Sequence, residues 1–120
     1  MKLILITVFL SVPFFANNVF ACSDFHKKIT NCTPYSCKFK HPMGKMLGNP
    51  NLTMERKIIG LKSGKCATEE QMPNNGKMSC NFPESKLSLV SEFYKTNGKA
   101  NSDFFNKSMN DGTCNISGYK

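Results

Sequence analysis

The stretch from Arg56 to Cys80, RKIIGLKSGKCATEEQMPNNGKMSC, predicts two antiparallel turns in succession. The run around Ile58 is β-prone, and a loop containing Gly64 follows it, because glycine takes the positive φ that a tight hairpin turn needs. A second turn is predicted over 73–76, where a proline and an Asn-Gly pair follow each other. Apolar and polar residues then alternate through Cys80. We therefore expect a three-stranded antiparallel meander.

Further elements are predicted on both sides of the meander. Alternation over 35–40 predicts a fourth strand, and apolar residues at helical spacing over 23–32 predict a short N-terminal helix. Asn81 and Glu84 form a pair like a capping box before an apolar helical face, so we expect a helix over 83–97. The predicted fold class is α+β: a small disulfide-stapled domain in which a three- to four-stranded antiparallel meander carries a C-terminal helix packed on it.

Residues 1–21 have the pattern of a secretory signal peptide. Lys2 supplies a positive start, residues 3–12 are almost uninterruptedly apolar, and Ala21 suits the position before a cleavage site. The apolar run is too short to span a bilayer, and no later stretch is apolar enough to do so. We expect an exported protein, periplasmic or secreted, whose mature chain begins at Cys22 and has no transmembrane segment. A lipid anchor on Cys22 is the alternative, although it would leave an odd number of cysteines in an oxidising compartment.

The mature chain is expected to form a small α+β domain over 22–98 and a polar C-terminal tail over 99–120. Large apolar residues are few, so the core is small for the surface that must be stabilised. Disulfides would supply the stability that this small core lacks, each contributing about 2–4 kcal/mol to the free energy of unfolding. All six cysteines are expected to pair, with the tail tied back through the last of them: Cys22, Cys32, Cys37, Cys66, Cys80 and Cys114.

The sequence does not choose among the possible pairings of these cysteines, with one exception. Cys22 and Cys32 stand at the two ends of the predicted N-terminal helix, which places them about 15 Å apart at about 1.5 Å per residue. Disulfide-bonded Cα atoms lie within about 7 Å of each other, so these two cannot pair. Each is expected to connect the helix to another element.

Positive charge is concentrated in the first half of the mature chain. Residues 22–65 hold nine Lys or Arg and two acidic residues, whereas residues 66–120 hold six of each sign. Such a surface favours an anionic partner, for example a membrane, a cell-wall polymer or nucleic acid, although another protein or a merely solvated lysine-rich surface is also consistent with it. We interpret the chain as an exported, non-enzymatic binding or interaction protein without a cofactor. Its candidate contact residues are Lys38, Lys40, Arg56 and Lys57.

Half of the mature chain resembles a family of small, uncharacterised exported bacterial proteins. The resemblance implies a periplasmic or secreted bacterial product and supplies no activity. The segments that carry it are Cys32-Thr33-Pro34-Tyr35-Ser36-Cys37, His41-Pro42, Ile59-Gly60-Leu61, Gly64-Lys65-Cys66, Met72-Pro73-Asn74 and Met78-Ser79-Cys80.

Two alternative functions remain open. His41, Met43 and Met46 lie within six residues of each other, and imidazole and thioether groups are soft ligands that suit Cu(I). A small secreted hydrolase or toxin is the other alternative, since acid–base cleavage of RNA uses two convergent histidines and a lysine. The chain has two histidines, His26 and His41, and no spacing that indicates their convergence. We assign no catalytic residue, and a cleft that joins both histidines would favour the enzyme.

Overall fold

Five antiparallel strands form one sheet in the order in which they occur in the chain, with a sixth, two-residue strand at its edge. The computed structural model describes residues 20–41 and 43–118, so the predicted signal peptide lies outside the described residues except for its last two. The edge strand β1 pairs in parallel with β2, and every other neighbouring pair is antiparallel. The strands are β1 (Phe20–Ala21), β2 (Tyr35–Lys40), β3 (Thr53–Lys62), β4 (Lys65–Met72), β5 (Gly76–Pro83) and β6 (Cys114–Ser117).

The two turns predicted within the meander are both present. Ser63 and Gly64 connect β3 to β4 with φ of 52° and 77°, and Asn74 and Asn75 lie in the next turn with φ of 61° and 64°. Two successive left-handed residues match the twist of the flanking strands, which is why Gly and Asn are favoured there. The predicted α+β class and the antiparallel sheet are confirmed, with more strands than expected.

Three helices complete the domain: α1 (Phe25–Thr30), α2 (Leu87–Lys95) and α3 (Ser102–Asn110). Helix α2 begins later than predicted, because Asn81 lies within β5 and a 3₁₀ turn over 84–86 precedes the helix; the capping-box interpretation was therefore wrong. Its end agrees with the prediction, since Asn97 and Gly98 both have positive φ and the Gly98 N–H donates to the Phe93 carbonyl at 2.8 Å.

The segment after Gly98 differs from the polar tail that the composition suggested. Helix α3 docks onto the core, with Phe105 buried and its ring stacked on that of Phe93 at 3.6 Å between centroids. Strand β6 then pairs with β5, so that Cys114 lies directly opposite Cys80. A segment with so few apolar residues is ordered because the rings of Phe104 and Phe105 pack against aromatic rings of the core and a disulfide attaches the segment to β5.

The helices cover one face of the sheet. A row of buried side chains crosses that face from β3 to β6 through Ile58, Thr68, Cys80 and Cys114, as the strand register requires. One core cluster joins these strands to all three helices, and its helical members are Phe25, Ile29, Leu87, Val90 and Phe105. The opposite face carries mainly polar and charged side chains, because side chains alternate between the two faces of a strand.

Three disulfides use all six cysteines: Cys22–Cys37, Cys32–Cys66 and Cys80–Cys114. The first attaches the 3₁₀ turn before α1 to β2, and the second attaches the end of α1 to β4. The prediction that Cys22 and Cys32 connect the helix to other elements, and not to each other, is therefore confirmed. Paired cysteines of this density are typical of small domains that fold in an oxidising, exported compartment.

Candidate binding cleft

Strand alternation places Arg56 under the helices. Its neighbours two residues away on β3, Met54 and Ile58, are both buried, and Arg56 shares their face. The register sets Arg56 between Cys37 on β2 and Glu70 on β4. A charged residue at this position of the sheet must find a partner, because an isolated buried charge is costly.

Arg56 is paired with Glu70 and surrounded by rings. The Nε group of Arg56 donates a hydrogen bond to Glu70 Oε1, and the side chains of the two residues are only 16% and 17% exposed. The guanidinium carbon lies 4.3 Å from the ring centroid of Phe39, 4.5 Å from that of Tyr94 and 5.2 Å from that of Phe25. Cation–π attraction strengthens when the groups are removed from water, so the three rings stabilise the charge that Glu70 balances.

Burial raises the pKa of Tyr94 above its ordinary value, the negative charge of Glu70 raises it further, and Arg56 opposes both effects. The Tyr94 hydroxyl is therefore protonated throughout the physiological range. A protonated phenol can donate a hydrogen bond, whereas a phenolate can only accept one. The ring belongs to an aromatic group, since its centroid lies 4.7 Å from that of Phe25 and 5.4 Å from that of Phe93.

A cleft of about 860 Å³ opens beside this ion pair, where the start of α1, the end of β2 and the end of α2 meet. Its walls combine aromatic rings with basic groups, and none of the described residues that line it is Asp or Glu. A volume of this size is within the range of small-molecule sites. The lining residues that carry the chemistry are His26, Phe39, Lys40, Arg56, Tyr94 and Lys95.

The four residues of the predicted contact surface do not share one face. Lys40 and Arg56 both line the cleft. Lys57 lies on the opposite face of the sheet, where its Nζ is 3.3 Å from Glu55 Oε1, and Lys38 is paired in register with Glu55 on that face. The period of a strand explains why Arg56 and Lys57 point to opposite faces, because adjacent residues alternate. Lys40 has the same parity as Lys38 and reaches the cleft because it is the last residue of β2, where the cleft opens.

Tyr94 and Lys95 are among the cleft residues that the sequence analysis did not select, and helix α2 contributes both. Lys95 comes from the last turn of α2, and Tyr94 precedes it. Neither stands out in the sequence, since Tyr94 reads as part of an apolar helical stripe and Lys95 as an ordinary basic residue near a helix C-terminus. The packing of α2 against α1 brings both to the cleft, where Ser91 Oγ donates to the His26 carbonyl at 2.7 Å.

The residues proposed for soft-metal binding lie in the loop after β2. His41 Nδ1 accepts a hydrogen bond from the Met43 N–H at 3.1 Å, which leaves Nε2 as the imidazole nitrogen for a ligand. Met43 is 48% exposed and Met46 is 80% exposed. Within residues 20–41 and 43–118 there is also no group of three His, Cys, Asp or Glu side chains placed to hold a metal ion. Copper binding stays a prediction without support from the geometry.

The two histidines do not meet in the cleft. His26 lines it, whereas His41 is not among its described lining residues. All six cysteines are in disulfides, so the chain has no free thiol nucleophile. A paired acid and base of the kind used by ribonucleases or glycosidases is therefore not formed by the described lining of this cleft.

Two other depressions differ from the cleft in their chemistry. A groove of about 660 Å³ lies between the loop before β3 and the turn that connects β4 to β5, and its single charged residue among those described is Lys77. A shallow depression of about 120 Å³ on the polar face mixes both signs of charge, including Glu55, Lys57 and Glu69. Neither combines aromatic walls with an excess of positive charge.

No protein-family model, curated protein or solved structure matches this chain. In the described part of the chain, every helix is too short or too polar to cross a bilayer.

Proposed function

We propose that this protein is exported and binds an anionic ligand in the cleft between α1, β2 and α2. The observation that carries the proposal is the composition of the cleft wall. Lys40, Arg56 and Lys95 supply positive charge there, and the described lining contains no carboxylate to neutralise it. The one acidic partner nearby, Glu70, is occupied by Arg56 Nε, which leaves the terminal amino groups of the guanidinium as donors for a ligand.

The aromatic wall narrows the class of ligand. Phe39, Phe93 and Tyr94 offer flat apolar surface next to the basic groups. A ligand that uses both would carry a phosphate or carboxylate group on a ring-shaped or otherwise flat body, since rings stack on aromatic side chains while the anion pairs with lysine and arginine. Small-molecule sites generally combine apolar walls with a few placed polar groups in this way.

Export would add to the positive charge. Cleavage after Ala21, as the signal-peptide pattern predicts, would make Cys22 the first residue of the mature chain and remove β1. Cys22 lines the cleft and is held there by its disulfide to Cys37. An α-amino group has an ordinary pKa of about 7.7–8.0, so a new ammonium group would stand at the cleft at neutral pH. The family resemblance agrees with a periplasmic or secreted location.

The test is a titration of the mature, oxidised protein followed by amide chemical shifts. The probes are adenosine 5′-monophosphate, its two halves adenosine and inorganic phosphate, and benzoate as a carboxylate. We expect the nucleotide to shift the resonances of His26, Phe39 and Lys95 and to bind at least about tenfold more tightly than either half, since charge-assisted bonds contribute about 1.5–3 kcal/mol each.

Lysine variants distinguish the cleft from general positive charge. Lys40→Ala and Lys95→Ala should each weaken nucleotide binding about five- to tenfold, because each removes one charge from the cleft wall. Lys62→Ala is the matched control, since Lys62 is exposed at the far end of β3, away from the cleft. The proposal is overturned if no probe of the anionic set shifts cleft resonances at millimolar concentration, or if Lys62→Ala weakens binding as much as the cleft variants do.

A further inference from the structure

The loop between β2 and β3 exposes large apolar side chains at its tip. Met43 is 48% exposed, Met46 is 80% exposed and Leu47 is 53% exposed. We call these three residues the apolar tip. Isolated exposed apolar residues are common on proteins, but three within five consecutive positions form a local patch that water solvates poorly.

The loop that carries the apolar tip satisfies most of its own backbone. Its ends are joined by the hydrogen bond from the His41 N–H to the Leu52 carbonyl at 2.8 Å. Gly44 is buried at the centre, where a Cβ would lie 2.6 Å from the Asn49 carbonyl oxygen, so glycine is required for this close approach. Donors that find acceptors within the loop are the N–H groups of Met43, Gly44, Leu47, Gly48, Asn49, Asn51 and Leu52.

This arrangement fits a lipid environment. Backbone groups without partners are costly where water is scarce, and this loop closes its hydrogen bonds internally while directing its apolar side chains outward. Two prolines, at 42 and 50, further reduce the number of donors that need a partner.

The charge around the apolar tip specifies the kind of lipid. Lys45 lies within the loop, and Lys38 and Lys40 precede it on β2. The sequence from Phe25 to Met54 contains no Asp or Glu, so no negative charge on this segment opposes approach to an anionic surface. Lysines beside an apolar patch are the pattern of peripheral attachment to anionic membranes.

We propose that the apolar tip inserts into the interface of a membrane that contains anionic phospholipid, with Lys45 and the lysines of β2 contacting the headgroups. The attachment would be shallow and reversible, because three side chains bury far less apolar surface than a spanning helix. The apolar part of this inference is separate from ligand binding in the cleft, because Met43, Met46 and Leu47 do not line the cleft; Lys40 is the residue that the two proposals share.

Vesicle flotation of the mature, oxidised protein tests the proposal. The probes are vesicles of phosphatidylcholine alone and of phosphatidylcholine mixed with phosphatidylglycerol. We expect the protein to bind the anionic vesicles at least about tenfold more strongly than the neutral ones. The double variant Met46→Ser with Leu47→Ser should bind the anionic vesicles at least about tenfold less strongly than the unmodified protein, since removing each apolar side chain reduces partitioning into the membrane. The matched control is Ile59→Ser with Leu61→Ser, which alters two residues 40% and 48% exposed near the other end of β3.

A fluorescence measurement tests insertion directly. The chain has no tryptophan, so Met46→Trp provides a single reporter at the apolar tip and Leu61→Trp a single reporter elsewhere. The emission of the Met46→Trp variant should shift to shorter wavelength on anionic vesicles and be quenched by brominated lipid. The emission of the Leu61→Trp variant should not change.

Three results would overturn membrane insertion. The first is that the protein does not float with anionic vesicles. The second is that the variant Met46→Ser with Leu47→Ser floats as well as the control Ile59→Ser with Leu61→Ser. The third is that the two tryptophan reporters respond alike to anionic vesicles. If vesicle binding is absent but the tip variant abolishes a concentration-dependent self-association seen by analytical ultracentrifugation, the patch contacts a second copy of this chain and the membrane proposal is wrong. The cleft variant Lys95→Ala should leave vesicle binding within about twofold, because Lys95 is not among the lysines assigned to the headgroups, so failure of one proposal is distinguishable from failure of the other.

Discussion

Arg56 and Glu70 face each other on neighbouring strands, and Arg56 Nε donates a hydrogen bond to Glu70 beneath the rings of Phe25 and Tyr94. Arg56 connects the core to the cleft, because its guanidinium lies over the buried ring of Phe25 and its side chain also lines the cleft, whereas Glu70 does not line it. Substitution of Glu70 tests what this ion pair contributes to the stability of the fold.

Removing the charge of Glu70 should destabilise the fold. In Glu70→Gln the Arg56 guanidinium loses its counter-charge while remaining largely enclosed, and we expect a loss of about 2–3 kcal/mol, less than for a fully buried pair because both side chains are still partly exposed. Urea unfolding of the oxidised protein measures it. The control is Glu69→Gln, whose partner Lys77 lies 3.2 Å away on the polar face and is 51% exposed. Such surface pairs contribute about 0–1 kcal/mol, so an equal loss in both variants would contradict this account.

The partly buried phenol of Tyr94 should make the fold sensitive to alkali. Its pKa is raised in the folded protein, so the folded state retains a proton that the unfolded chain releases above about pH 10. The contribution of Tyr94 to the free energy of unfolding is therefore fully present below about pH 10 and decreases as the pH rises above it. Tyr94→Phe should show a smaller loss of stability between neutral pH and pH above about 10. The pKa of Tyr35 is also raised, so the difference between wild type and Tyr94→Phe is the informative quantity, and identical alkaline profiles would refute the assignment.

The meander could be predicted from local sequence because each of its turns contains residues that favour the backbone conformation of that turn. Gly64 and the Asn74-Asn75 pair adopt positive φ, and residues that tolerate this conformation were identifiable from the sequence. The run at 58–61 was correctly assigned to a strand, but only Ile58 is buried, whereas Ile59 and Leu61 are exposed beside a bulge that shifts the register. Periodicity cannot show such a shift, because a single inserted residue exchanges the two faces.

The cleft could not be predicted because it depends on tertiary packing. Lys40 was selected from the charge distribution, but Tyr94 and Lys95 reach the same place only when α2 packs against α1. The misplaced start of α2 has a related cause: Asn81 and Glu84 match a helix start, yet the pairing of Asn81 with Ala67 in the sheet prevailed over the local preference. Order in residues 102–117 likewise required the contacts of Phe105 and Cys114.

The Cys32–Cys66 disulfide should contribute more stability than the Cys22–Cys37 disulfide. Cys32 and Cys66 close a longer segment than Cys22 and Cys37, with sequence separations of 34 and 15. In the chain-entropy model, removing either disulfide lowers the free energy of unfolding by about 3–4 kcal/mol, and removing Cys32–Cys66 lowers it by about 0.7 kcal/mol more than removing Cys22–Cys37. Paired serine variants, Cys32→Ser with Cys66→Ser and Cys22→Ser with Cys37→Ser, compared by urea unfolding, measure the difference. A larger loss for the Cys22–Cys37 pair would show that its local contacts, and not chain entropy, dominate.

The mass of the exported protein tests the predicted processing and the lipid-anchor alternative together. The Sγ atom of Cys22 is bonded to Cys37, so a lipid thioether on the same sulfur cannot form while that disulfide exists. We expect the intact mass of residues 22–120 less six hydrogen atoms, and six alkylated cysteines only after reduction. A diacylglycerol adduct would leave Cys37 without its partner, and one thiol would then react with the alkylating reagent before reduction. That result would replace membrane contact through the apolar tip by covalent anchoring at Cys22, which lines the cleft.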